Sequence, residues 1–187
     1  MRAFIAIEPP VEVIRAIFEV KRQIDAGEQG VSWVREPNAH LTLNFLGEIN
    51  DGDVSTITKI LREASVETTP FTLKTNDIGA FPDLSRPRAI WLGIGASKEL
   101  SALHKKINDG LALIGHKAEG SAYSPHLTLC RIKDAKSGAL IGRKISSNKY
   151  IADISGIEFK VTSFFLYRSV LKPTGAQYSK IAQIDLI

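Results

Sequence analysis

The stretch His40-Leu41-Thr42-Leu43-Asn44-Phe45-Leu46-Gly47 decides how this chain is read. Its first four residues return as His126-Leu127-Thr128-Leu129, 86 positions later. Other matches keep the same step. Arg2-Ala3-Phe4 answers to Arg88-Ala89-Ile90, Ile14 to Leu100 and Ile17 to Leu103. Phe71-Thr72-Leu73-Lys74 falls on Ile157-Glu158-Phe159-Lys160. A tetrapeptide can recur by chance in a leucine-rich chain, but matches that stay in phase over most of its length point to two similar halves. The expectation is a single bilobal domain over residues 1–187, its halves related by a pseudo-twofold axis, with motifs at 40–43 and 126–129.

Each copy alternates as a strand does, so every second residue shares a face. His40, Thr42 and Asn44 point one way; Leu41, Leu43 and Phe45 point the other. His126, Thr128 and Cys130 share a face, opposed by Leu127, Leu129 and Arg131. The leucines anchor a core, and each half offers a histidine and a threonine roughly 7 Å apart along the strand. If the halves meet, two histidines and two threonines line one cleft. Histidine is the side chain best placed to give or take a proton near neutral pH. One imidazole can deprotonate a water while a second protonates a leaving oxygen. Threonine hydroxyls can donate to the non-bridging oxygens of a phosphate held between them. A lone histidine on a strand is usually structural. Two at equivalent positions, each two residues before a threonine, reverse that presumption. Two histidines with Cys130 would make an incomplete zinc site, with no close-spaced ligand pair or third carboxylate. No metal or other cofactor is expected. His104, expected in a helix, and His116, expected in a turn, lack the motif and are read as structural or solvated.

Around the motifs, strands are expected at 3–7, 32–34, 40–46, 71–78, 88–95, 126–132, 157–167 and 178–184. Helical spacing runs from Pro10 to Gly27, from Asp51 or Asp53 to about Glu67, over Leu100 to Ile114, and weakly over 137–147. Loops are read at 81–87 and 120–125. The mixture favours an α+β fold over a doubly wound sheet. The chain has 187 residues, 44% apolar and 24% charged, a globular balance that argues against disorder. One cysteine excludes an intrachain disulfide framework. No apolar run approaches the roughly 18 residues of a membrane span, and Met1-Arg2-Ala3-Phe4-Ile5-Ala6-Ile7-Glu8-Pro9-Pro10 is too short for a signal peptide. A soluble cytoplasmic protein with no membrane partner is expected, and a monomer, since both halves come from one chain. The net charge of +4 is uneven. Residues 1–93 hold 10 basic and 13 acidic side chains, and residues 94–187 hold 14 and 7. A basic half suits a polyanionic partner, although a solvated face would look the same.

These residues resemble a known family. Paired His-Leu-Thr-Leu motifs at this separation are similar to the signature of the two-histidine (2H) phosphoesterases. Arg2 to Ile7, Trp33, His40 to Gly47, Phe81-Pro82, Pro87 to Trp91, Pro125 to Leu129 and Gly175-Ala176-Gln177-Tyr178 narrow the likeness. Together they resemble the bacterial and archaeal RNA 2′,3′-cyclic phosphodiesterases, often labelled 2′-5′ RNA ligases. The resemblance implies two lobes, each an antiparallel sheet with helices on its outer face, and a cleft between them. It implies metal-independent hydrolysis of a ribose 2′,3′-cyclic phosphate end, with tRNA as one candidate source, to a 2′-phosphate. By similarity His40 is the general acid, His126 the general base, and Thr42 and Thr128 hold the phosphate. Arg131 corresponds to an arginine that follows the family's second motif. Strict alternation puts it on the leucine face, so a bulge or a reach around the strand end is needed. Phe45, a candidate for stacking on a base, has the same difficulty, and Tyr123 is a looser candidate. Two other readings use the same residues: a 2′-5′ RNA ligase with an RNA 5′-hydroxyl as nucleophile, and a non-catalytic RNA-end-binding module.

Overall fold

Short apolar runs closed by proline or glycine become strands here, and amphipathic runs become the helices that cover them. The computed structural model describes residues 1–25, 27–116, 122–147, 154–173 and 175–187. The strands are β1 (Arg2–Ile7), β2 (Val31–Trp33), β3 (Leu41–Glu48), β4 (Phe71–Phe81), β5 (Ala89–Ile94), β6 (His126–Ile132), β7 (Glu158–Val161), β8 (Ser163–Lys172) and β9 (Gly175–Asp185). The helices are α1 (Val11–Ile24), α2 (Val54–Ser65), α3 (Lys98–Ala112) and α4 (Ala135–Ser147). Short 3-10 turns at Glu36–Asn38 and Asp51–Asp53 precede β3 and α2. The architecture is α+β, as the sequence indicates. The stretch 157–167, read as one strand, is two, and the strand expected at 71–78 runs on to Phe81. The loop expected at 120–125 lies partly outside the described residues.

All the pairings are antiparallel, in the order β7-β4-β5-β6-β3-β1-β8-β9, with β2 added to β6. The two halves of the chain exchange strands. β4, from the first half, joins β5, while β8 and β9, from the second, extend the sheet beyond β1. The ladder between the two sets is short, with Leu41 paired opposite Leu127. Those leucines occupy the same position in the two motifs. A residue facing its own counterpart across an antiparallel pair is what a twofold relation requires. Extending that register by one residue each way sets His40 opposite Thr128 and Thr42 opposite His126. The earlier matches slip by one position. Thr42 pairs with Ala6 and Thr128 with Trp91, so β1 and β5 correspond at 85 residues rather than 86.

The helices cover one face of the sheet. Leu41, Leu43, Leu127 and Leu129 are buried there with Val13, Ile57, Leu103 and Ile141 from the four helices. Fully burying each such side chain contributes about 1.5–3 kcal/mol. α2 packs against α3 at a glycine: a Cβ on Gly110 would lie 2.5 Å from Ile60 Cγ2. α1 and α4 are joined where the Lys144 ammonium donates to the Ile24 carbonyl at 3.0 Å. The opposite face carries a smaller aromatic cluster of Phe4, Ala6, Phe165 and Tyr167, with Tyr178 against it. The histidines sit on this face.

Candidate active site

Each histidine is fixed in the same way. His40 immediately precedes β3 and follows the turn at Glu36–Asn38, where Pro37 sets the backbone. Its Nδ1–H donates to the carbonyl of Asn38 at 2.7 Å. His126 opens β6 after Pro125, and its Nδ1–H donates to the carbonyl of Ser124, also at 2.7 Å. A carbonyl can only accept, so this bond settles the tautomer and leaves Nε2 as the free ring nitrogen in both. Their surroundings differ. The His40 ring packs 4.8 Å from Phe4 and edge-on to Tyr178 at 5.4 Å. His126 meets Phe81 edge-on at 5.2 Å and Trp91 at 6.0 Å.

A cleft of 550 Å³ holds both histidines together with Thr42, Thr128, Arg131 and Phe45. The sequence reading brought the first four to one face, and the structure does the same. For Arg131 and Phe45 strict alternation gave the wrong face, and the reason is a bulge in each strand. In β6 the register to β5 shifts between Thr128 and Cys130, so Leu129 has no residue opposite it on β5. In β3 the register to β1 shifts between Thr42 and Asn44, at Leu43. An unpaired extra residue reverses the parity of the residues after it. Cys130 is therefore buried with the leucines instead of facing the cleft with Thr128, and Arg131 turns outward beside Thr128. Phe45 does likewise and is 54% exposed. Leu43 and Leu129 are equivalent motif positions, so the same irregularity occurs twice. Tyr123 is placed elsewhere. It stacks on His104 at 3.7 Å in a neighbouring cavity, and its hydroxyl donates to the Thr42 carbonyl at 3.1 Å. His104 is thus part of a cavity wall.

Burial lowers the His40 pKa; the Asn38 carbonyl favours the cation, and positive charge on Arg131, or on His126 once it has taken a proton, disfavours it. Without an anion, His40 therefore favours the neutral form. A phosphate between the histidines reverses the Coulombic part of that balance. Burial pushes the Tyr178 phenol up, with Arg131 and Arg2 pulling the other way, so it stays a neutral hydrogen-bonding group. Among the described residues, no group of three or more His, Cys, Asp or Glu is arranged to hold a metal ion.

The sequence reading gave no role to Tyr178, Trp33 or Lys133, which also line the cleft. Tyr178 arrives on β9, through the β8–β9 hairpin and the pairing of β8 with β1. Trp33 arrives on β2, which adds to β6. No local pattern announces such pairings. Lys133 follows Arg131 by two residues, a signal that becomes readable only once the bulge is known.

Known proteins resemble this chain throughout its length. The family model described as LigT like phosphoesterase matches residues 7–91 and 94–178. A protein of Aquifex aeolicus named RNA 2′,3′-cyclic phosphodiesterase is 31% identical, over 100% of this chain and 97% of its own length. One of the same name from Methanocaldococcus jannaschii is 31% identical over 98% of this chain and 99% of its own. A crystal structure from Thermus thermophilus superposes with a TM-score of 0.83 at 25% identity, covering 100% of this chain and 98% of the other. That of E. coli LigT complexed with 3′-AMP gives 0.77 at 26% identity, over 99% and 97%.

Proposed function

This chain belongs to the LigT like phosphoesterase family, and on that premise we propose that it hydrolyses RNA 2′,3′-cyclic phosphate ends to 2′-phosphate ends. The observation that carries the reading is the shared cleft. Two imidazoles, each with Nδ1 engaged by a backbone carbonyl and Nε2 free, share it with two threonines and an arginine. Thr42, Thr128 and Arg131 bind the non-bridging oxygens of the cyclic phosphate. His126, neutral, takes a proton from water as its oxygen bonds to phosphorus. The bond from phosphorus to the 3′-oxygen breaks, and His40, protonated, gives that oxygen its proton. The 2′-oxygen keeps the phosphate. The negative charge of the bound phosphate supplies the condition for protonating His40. Phe45 offers an exposed aromatic face beside the phosphate site. The names of the relatives support RNA as the substrate class, and a single chain that supplies both histidines supports a monomeric enzyme. We read residues 1–187 as one bilobal catalytic domain.

The test is incubation of the purified protein, in EDTA, with an oligoribonucleotide ending in a 2′,3′-cyclic phosphate. Wild type is expected to yield a 2′-phosphate. His40→Ala and His126→Ala are each expected to lose about 10²- to 10⁴-fold in turnover. A folded wild type that leaves the cyclic end intact, or a His40→Ala enzyme as fast as wild type, overturns the reading.

A further inference from the structure

The two histidines make the same bond, but the carbonyls that accept it are anchored differently. The carbonyl bonded to His40 Nδ1–H belongs to Asn38. The side chain of that same residue reaches away from its turn, and its Nδ2–H donates to the backbone carbonyl of Ala176 at 2.8 Å, 138 residues further along the chain. Ala176 stands at the start of β9, in the end of the β8–β9 hairpin that lines the cleft with Pro173, Gly175 and Tyr178. Tyr178, two residues on, meets the His40 ring edge-on. One amide thus ties the acceptor behind the His40 ring to the strand whose tyrosine packs against that ring. The turn needs such a tie. It is a single 3-10 turn, closed by backbone bonds from Asn38 to Arg35 and from Ala39 to Glu36, and 3-10 bonds are poorly aligned. At His126 the acceptor is the Ser124 carbonyl, and among the described residues the Ser124 side chain makes no corresponding bond.

Resting on the cyclic phosphodiesterase reading, we propose that Asn38 is a positioning residue for His40: its side-chain amide anchors the turn to β9, which keeps the Asn38 carbonyl on Nδ1 and leaves Nε2 aimed at the departing 3′-oxygen. The Asn38 amide spends its bond on the Ala176 carbonyl, so its influence on the reaction passes through the His40 ring. It therefore disappears wherever the His40 imidazole is absent. His126, held by Ser124 on a separate loop, does not depend on it.

Two variants test this. Asn38→Ala removes the amide, and Asn38→Leu removes the donor while nearly keeping the volume, so a fault caused by empty space shows in the first alone. Nitrogen NMR of the imidazoles, at a pH where both rings are neutral, reads the tautomers without needing turnover. In wild type both rings should carry the proton on Nδ1. In both variants His40 should become a mixture of Nδ1–H and Nε2–H forms, while His126 stays as it was. On an oligoribonucleotide ending in a 2′,3′-cyclic phosphate, both variants should lose about 10- to 100-fold in kcat, the cost of a misplaced catalytic group. KM should stay within about twofold of wild type. Combined with His40→Ala, either substitution should cost less than about a further twofold, because residues acting as one unit are not additive. An unchanged His40 tautomer in both variants, an effect confined to Asn38→Ala, or a kcat loss as large beside His40→Ala as in wild type overturns the proposal. A wild type that leaves the cyclic end intact overturns the hydrolytic reading instead, and the tautomers alone then decide whether Asn38 holds His40.

Discussion

His40 and His126 are held by identical bonds and differ only in their surroundings, so the assignment of acid and base turns on those surroundings. Burial disfavours the His40 cation in the ligand-free protein, whereas the acid must begin protonated. The proposed roles therefore need the phosphate to come first, and they can be tested by removing the need for an acid. A cyclic substrate with sulfur in place of the 3′-oxygen has a leaving group that departs without protonation. His40→Ala should recover most of its lost rate on that substrate, and His126→Ala should not. The check is the ratio of kcat values on sulfur and oxygen substrates for each variant. Rescue of His126→Ala instead would exchange the two roles. At this scale much was legible. Histidine and threonine two residues apart on a strand must share a face, and recurrence of the pair marked them as a set. Arg131 and Phe45 were identified as residues but put on the wrong side, because one unpaired leucine in each strand reverses the parity and leaves no mark in the pattern.

At the scale of elements, the strand that carries His126 is shaped by neighbours that pack beside the histidine ring. Trp91 on β5 pairs with Thr128 and packs against both Phe81 and His126. Its ring lies over Gly79 on β4, where an added Cβ would come within 2.1 Å of a ring carbon. Glycine is needed there for space. Gly79→Ala should destabilise the protein by about 1–3 kcal/mol, as overpacking does. It should also lower kcat by tilting Trp91 into His126. Gly52→Ala, where no heavy atom lies within 4 Å, should do neither. Denaturant melts and kcat measured on the same preparations check both outcomes. Normal stability and full activity in Gly79→Ala would show that Trp91 has room to move. Most elements were legible from apolar spacing and from proline and glycine stops. The split of β7 from β8 was not, because the buried Phe159 and Val161 of β7 lead straight into the continuous apolar run Phe164–Tyr167 of β8, and the break at Thr162 carries no glycine or proline.

At the scale of the molecule, the exchange of strands between halves is what the sequence could not reveal, since pairing partners are chosen by the whole sheet. It also changes what charge means. The acidic and basic halves of the chain do not correspond to the two sides of the sheet, because β4 crosses one way and β8 and β9 the other. Locally, Arg35, Arg131 and Lys133 line the phosphate cleft. If an RNA strand runs from the reacting phosphate along this wall, its backbone phosphates release counterions there. Each phosphate contact should then contribute about 0.7 to the fall of log affinity with log salt for a single strand. An oligoribonucleotide with a 2′-phosphate end should therefore show a steeper salt dependence than a mononucleotide. Lys133→Ala should flatten the oligonucleotide's slope by about 0.7. Binding measured from low to moderate salt, with both ligands and both proteins, checks this. Equal slopes for the two ligands would mean that the strand leaves the protein at its last nucleotide, and that the basic wall serves the terminal phosphate alone.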